Sequence, residues 1–261
     1  MLILSVATHN ERMINIFKES CSKNNCRLEI LAFGEKWQGF GWRWSVIYDY
    51  LKNNSIDNKE IILITDAFDS CIMKSSDEIV NRFKKFKSPM VFSCEPERVN
   101  FKPISAYYRW RVFGPDPIIN GGTYIGYAGA IKKFISRLKY KNNTDDQRFL
   151  TSLFKLIEMS VDYENKLFYH HCGWMKSHII GELPDTCVVT FPASGYTENM
   201  LTKIGYQIDE SVLPSETCMQ KIQVAIRRIK HYAPFFWREM LIIITIIAGA
   251  GILPLILGII V

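Results

Sequence analysis

The chain has no CxxC pair, and its seven cysteines, Cys21, Cys26, Cys71, Cys94, Cys172, Cys187 and Cys218, are odd in number and irregularly spaced. That pattern argues against a disulfide framework and fits reduced thiols in a cytosol-like compartment. No basic stretch precedes the first apolar run, LILSV, so a secretory signal is not expected and the run reads as a strand. The formal glycosylation acceptors at Asn53 and Asn142 are then uninformative. A strong charge imbalance is also missing: +6 is mild, and no nucleic-acid partner is expected. Internal repeats and low-complexity blocks are absent, and 48% apolar with 22% charged residues excludes wholesale disorder. A length of 261 residues suits one sizeable core with an appendage rather than two full domains.

Charge is missing altogether from residues 241–261, LIIITIIAGAGILPLILGIIV. As a helix rising about 1.5 Å per residue this segment would span the ~30 Å hydrocarbon core of a bilayer. A buried core helix is the alternative, and it is disfavoured because such helices rarely stay uncharged on every face. Before it, residues 221–240 carry Lys221, Arg227, Arg228, Lys230 and Arg238, with Phe235, Phe236 and Trp237 suited to the interfacial belt. Pro234 separates this amphipathic stretch from the span, and its basic residues suit anionic lipid headgroups better than a plain solvated face. The expected layout is a folded body over 1–206, a linker over 207–220, the basic juxtamembrane segment, and a tail anchor over 241–261. The positive-inside rule keeps the body on the cytoplasmic side of a single-pass membrane protein.

Within the body, strand-like runs at 2–6, 28–33, 61–65, 90–94, 123–128 and 187–191 alternate with helix-like stretches. The latter are Glu11–Lys23, Trp44–Lys52, Asp77–Phe86, Ala130–Leu138 and Asp146–Met159. Alternation of this kind predicts an α/β domain with a mixed, largely parallel sheet and ligands at the carboxyl ends of its strands.

Three polar stretches interrupt the apolar pattern. IILITDAFDS (61–70) ends a strand on Asp66 and Asp69, which could share a hard divalent cation with phosphate oxygens. A turn followed by a helix cap explains the same residues. An aspartyl-nucleophile phosphatase is a third reading, weakened because such enzymes place their aspartates two apart. PIINGGTYIGYAGAI (117–131) sets Asn120, Gly121 and Gly122 before an aromatic strand, where adjacent glycines admit a ligand to the backbone or simply make a tight turn. NNTDDQRFLTSLF (142–154) opens a helix with Asp145 and Asp146. Capping accounts for one of these carboxylates and leaves the other for sugar hydroxyls or base chemistry.

The order of these motifs resembles the glycosyltransferase domain of procollagen lysyl hydroxylases, the related collagen galactosyltransferases and their viral relatives, over residues 2–205. LILSVATHNE is similar to that family's first strand and nucleotide-binding turn, and LAFGEKWQG to its LGxGExWxG segment. IILITDAFDS resembles the metal-binding strand end, and VFSCEP, with Glu95, the FSAE segment. INGGTYIGYA resembles LNSGGFIGFA, TDDQRFLT resembles DDDQxFYT, and VDYENKLF, with Asp162, resembles the LD-(x)4-IF turn.

The resemblance implies a GT-A fold, a Rossmann-like nucleotide-sugar domain, transferring a hexose from a UDP-sugar with Mn²⁺ or Mg²⁺ as cofactor. It implies that Asp66 and Asp69 hold the metal, and that Thr8, Glu35, Trp37, Asp66, Gly121 and Gly122 bind the nucleotide-sugar. Asn120, Asp145 and Asp146 would face the sugar and a glycan, lipid-linked or protein acceptor. One departure matters: the family draws a further metal ligand from a late VVHxNG histidine, whereas VVTFPASG here has Thr190 at that position. His170, His171 and His178 lie upstream as candidates, although a satisfied or solvent-facing histidine is commoner than a ligand. The family's tryptophan after FSAE has no counterpart in SCEPERVNFKP. A non-catalytic domain that binds nucleotide or a partner therefore stands as the alternative, with a phosphohydrolase behind it.

Overall fold

The computed structural model describes residues 1–11, 13–95, 119–153, 159–171, 183–191, 198–206 and 245. One compact unit runs from Met1 to Pro214 and a second from Ser215 to Val261. Of the second, only Thr245, a helical residue, is described. The predicted linker and juxtamembrane segment, and the span apart from Thr245, therefore lie outside the described residues. Among the described residues no helix is long and apolar enough to cross a membrane.

The elements of the first unit are β1 (Leu2–Val6), α1 (Ile14–Lys23), β2 (Arg27–Leu31), α2 (Phe40–Asn53), β3 (Ile61–Ile64), β4 (Ser70–Ile72) and α3 (Ser76–Lys85). They continue with β5 (Met90–Cys94), β6 (Ile119–Tyr127), α4 (Ala128–Arg137), α5 (Asp146–Leu153), β7 (Ser160–Asp162), β8 (Phe168–His170), β9 (Val188–Thr190) and α6 (Glu198–Lys203). Six strands form the main sheet in the order β2-β1-β3-β6-β5-β7. Pairings are parallel except along β6, which runs antiparallel to β3 and to β5, with Ile125 opposite both Leu63 and Val91. This reversal places Asn120, near the start of β6, at the edge where β3 and β5 end.

Helices cover both faces of the sheet, which is why β1 and β3 read as unbroken apolar runs rather than alternating ones. Leu2, Leu4, Ile62, Ile64 and Phe92 point to the side of Trp44, Ile47, Ile131 and Leu150, contributed by α2, α4 and α5. Ile3, Leu63, Val91 and Ile125 point to the side of Ile14, Phe17, Ile79 and Phe83, contributed by α1 and α3. Each such buried side chain is worth roughly 1.5–3 kcal/mol, so β3 is fixed from both sides before its polar continuation begins. Ser75 caps α3 by accepting from the Glu78 backbone N–H at 3.3 Å.

Several expected boundaries move. The 28–33 strand stops at Leu31 because Ala32 adopts φ +61°. The helix expected from Trp44 begins at Phe40, after Gly39 at φ +119°. The strand expected from Thr123 begins at Ile119 and takes in Asn120, Gly121 and Gly122, so these glycines do not form a turn. A small sheet in the order β4-β9-β8 was not anticipated beyond its β9 strand, since β4 and β8 are three residues each and too short to show a period. Cys21, Cys26, Cys71, Cys94 and Cys187 are free thiols. Burial pushes Cys71 up to about 11 and Cys187 up to about 12, away from nucleophilic use.

Candidate active site

The turn after β3 is tied down from several sides. The Thr65 hydroxyl hydrogen-bonds Ser70 Oγ at 2.8 Å and Thr123 Oγ1 at 3.2 Å, while Ser5 Oγ donates to the Thr65 carbonyl at 2.6 Å. Asp66 Oδ1 accepts from the Phe68 backbone N–H at 3.1 Å, and the Asp69 carbonyl accepts from the Phe191 N–H at 2.7 Å. Asp66 and Asp69 are thus half-buried at the two ends of one turn, held by buried hydroxyls behind it. The aromatic between them has a partner: the Phe68 ring lies 5.1 Å from that of His9, and its carbonyl accepts from the Met13 N–H. His9 in turn sits between Thr8 Oγ1 at 2.9 Å and Glu11 Oε2 at 2.6 Å.

Thr8 lies two residues past the end of β1, beside this turn, and its carbonyl accepts from the Gly34 N–H at 2.9 Å. That bond draws the GEKW loop to the same edge, with Gly34 at φ +85°. Glu35 is exposed there, and Trp37 is 41% exposed, edge-on to Phe40 and Trp42 at 5.6 Å each. A Cβ at Gly39 would meet the Asn142 carbonyl oxygen at 2.3 Å, which packs this loop against the segment leading into α5.

Asn120 Oδ1 accepts from the N–H groups of Gly122 (2.8 Å) and Thr123 (3.1 Å), and its Nδ2 donates to Glu95 Oε1 at 2.7 Å. The two carboxylates of the DDQ motif separate. Asp145 accepts from the Arg148 N–H at 3.1 Å, as an N-cap does. Asp146 is 7% exposed and forms an ion pair with Arg43, itself 5% exposed, whose Nη2 also donates to the Gly121 carbonyl at 2.9 Å. Gly121 must be glycine because a Cβ would meet the Asp146 carboxyl at 2.6 Å. Burial works against the Arg43 charge, but Asp146 and Asp66 outweigh it and hold the guanidinium above its ordinary value. Burial also pushes the Asp146 carboxyl up, with Arg43 opposing. A guanidinium does not surrender its proton in proteins, so the contact persists as an ion pair. Sequence reasoning missed Arg43; its signal is one cation in WRW on an otherwise apolar helix face.

Thr190 lies in the middle of the small sheet, opposite both Ser70 and His170. Its hydroxyl hydrogen-bonds His170 Nδ1, and its carbonyl accepts from the His171 N–H at 2.7 Å. His178 lies outside the described residues, as does everything after Glu95 in SCEPERVNFKP. Among the described residues, no three His, Cys, Asp or Glu side chains gather closely enough to form a protein-only metal cage. Two carboxylates on one anchored turn nonetheless fit a hard cation that takes its remaining ligands from diphosphate oxygens and water.

The mixed α/β sheet brings Thr8, Asp66, Glu95 and Asn120 to one edge of a Rossmann-like domain, and the family match assigns that domain to the glycosyltransferase class. The family model described as the PLOD GT domain matches residues 1–180, and the chain belongs to that family. It is 25% identical to procollagen-lysine,2-oxoglutarate 5-dioxygenase 1 of Gallus gallus over 234 residues, covering 80% of this chain and 32% of the relative. To the multifunctional procollagen lysine hydroxylase and glycosyltransferase LH3 of Rattus norvegicus it is 22% identical over 242 residues, covering 84% and 32%. The chain thus spans about a third of the length of these relatives. Among solved structures, it is similar to a glycosyltransferase involved in glycosylation of the major capsid of PBCV-1, at 15% identity and TM-score 0.44, covering 74% of this chain and 92% of that one. It is also similar to the galactosyltransferase LgtC, at 11% identity and TM-score 0.45, covering 80% and 98%.

Proposed function

We propose that the chain transfers a hexose, glucose or galactose, from a UDP-sugar to a hydroxyl of a glycan, lipid-linked or protein acceptor at a membrane surface. The observation that carries this reading is the anchored turn presenting Asp66 and Asp69 at the strand edge of a PLOD GT-type domain. Asp66 and Asp69 would hold Mn²⁺ or Mg²⁺, which offsets charge developing on the departing diphosphate. Thr8, Glu35 and Trp37 line the nucleotide side, Trp37 offering an exposed ring face to the uracil. Asn120, with its amide oriented by Glu95 and two backbone N–H groups, faces the sugar. Arg43 fixes the Asp146 carboxylate beside Gly121, and Asp145 holds the start of the same helix, so this carboxylate is aimed rather than free to swing. The uncharged tail and the basic segment before it anchor the domain on the cytoplasmic face, within reach of membrane-bound acceptors.

The test is hydrolysis of, or transfer from, UDP-glucose and UDP-galactose with and without Mn²⁺. Activity should require the cation and fall by about 100-fold or more in Asp69→Ala. Turnover undiminished in chelator would remove the metal from the reading. Recovery of the full chain, but not of a chain ending at residue 240, in the membrane fraction tests the anchor.

A further inference from the structure

Phe40, the first residue of α2, is 50% exposed although the backbone on either side of it is fixed. Cβ atoms at Gly39 and Gly41 would run into the Asn142 and Lys141 carbonyl oxygens, and the Trp42 N–H donates to the Asn142 carbonyl at 3.2 Å. The Phe40 ring covers the Arg43 guanidinium, whose Cζ lies 5.8 Å from its centroid. That guanidinium pairs with Asp146 and donates to the Gly121 carbonyl. A Cβ on Gly122 would lie 3.6 Å from Arg43 Nη1 and 3.1 Å from Asn120 Oδ1, so one narrow space separates the cation under Phe40 from the Asn120 amide. Phe40 thus borders the Asp146 and Asn120 end of the site.

The Phe40 and Trp37 rings are 5.6 Å apart and inclined at 79°. Nearly perpendicular faces cannot both stack on one flat group, so the two exposed rings suit two different ones. With uracil on Trp37, Phe40 is left for a second ring. The negative face of a phenyl ring repels phosphate and carboxylate, whereas a hexose is uncharged and turns one face of C–H groups toward such a surface while its hydroxyls reach polar neighbours.

We propose that Phe40 is a sugar-stacking residue, its open face packing against the apolar face of a hexose that lies beside Asn120 and Asp146. This inference rests on the transferase reading above and adds to it a specificity contact from the start of α2. The hexose belongs to the donor or to an acceptor, and the stacking chemistry is the same.

Tyrosine at 40 keeps the ring, leucine keeps only an apolar cover over Arg43, and alanine removes both. Calorimetric titration of the full chain and these three variants, with Mn²⁺ present, uses UDP, UDP-glucose, UDP-galactose, and galactose or glucose added to the UDP-bound protein. With UDP affinity unchanged, Phe40→Ala and Phe40→Leu should each lose about five- to tenfold for a UDP-hexose if the donor is stacked, or for a free hexose if the acceptor is. Phe40→Tyr should keep native affinity. Native affinity in Phe40→Leu would reduce the ring to a cover for Arg43 and overturn the proposal. Equal weakening toward UDP and UDP-hexoses would overturn it too, as would unchanged affinity of Phe40→Ala for every sugar ligand. Failure of the native chain to bind UDP at all would instead overturn the transferase reading, and this contact with it.

Discussion

Arg43→Met tests the electrostatics of the site most directly. The substitution keeps an unbranched chain of similar length on α2 and removes the charge that faces Asp146. Asp146 is 7% exposed and would retain the Gln147 N–H at 2.8 Å as a hydrogen-bond donor, while the Gly121 carbonyl would lose its Arg43 donor. Breaking a buried pair from one side costs about 3–5 kcal/mol, or roughly 6–20 °C in Tm for a domain of this size. Urea unfolding of the full chain can be followed by tryptophan fluorescence, since the buried Trp42 and Trp44 flank the mutated position. The deficit should shrink as pH falls from 7 toward 5, because an unpaired carboxyl can then protonate and escape its burial penalty. Adding Asp146→Asn should recover most of the stability, since no uncompensated charge remains. A cost of Arg43→Met below about 1 kcal/mol, the range of exposed pairs, would refute the buried-pair reasoning. So would a double variant no more stable than the single one.

Asp162→Ala should destabilise by about 2–4 kcal/mol, because it strips the acceptor from the buried Leu167 and Phe168 N–H groups, which bond it at 2.6 and 2.9 Å. Asp162→Asn, retaining one acceptor oxygen, should cost less, and equal urea midpoints for the two would contradict this. His170 gives a pH dependence with a definite sign. Burial lowers its folded pKa against the opposing pull of Glu95 and Asp162, so only the unfolded chain takes up that proton near pH ~6.5. Its contribution is therefore complete above that pH and lost as pH falls below it, by up to about 1.4 kcal/mol per pH unit. Denaturation midpoints at pH 7.0 and 5.5 should differ more in the native chain than in His170→Asn, and identical slopes would exclude the effect.

The main sheet was legible because β1, β3 and β5 are buried on both faces and so write unbroken apolar runs. What a run cannot write is direction: nothing in INGGTYIGYA says that β6 is antiparallel. The glycines were read as a ligand approach or a turn, yet Gly121 is glycine because the Asp146 carboxyl needs the space a Cβ would fill. Arg43 and Asp146 are 103 positions apart, and no local period connects them. Thr190, expected as the place of a missing ligand, and His170, upstream in sequence, turn out to be cross-strand partners. Three-residue strands hide that relation from any pattern shorter than the fold.

The sequence offered Asp66, Asp69, Asp145 and Asp146 as four alike carboxylates, and the structure gives them unlike tasks. Asp145 does the work of a cap, and Asp146 is taken up by Arg43, so neither stands as a freely solvated base. The Arg43 charge also reaches Asp66, which softens repulsion on that side of the turn. A diphosphate brought to the same edge meets the negative charge of Asp66 and Asp69 together with that of Glu95. On the transferase reading, Asp66 and Asp69 would hold a divalent cation whose charge would both offset the negative edge for the donor and balance charge on the diphosphate. Loss of the cation should accordingly weaken UDP binding itself as well as turnover, which separates this account from one in which the metal acts only in the chemical step.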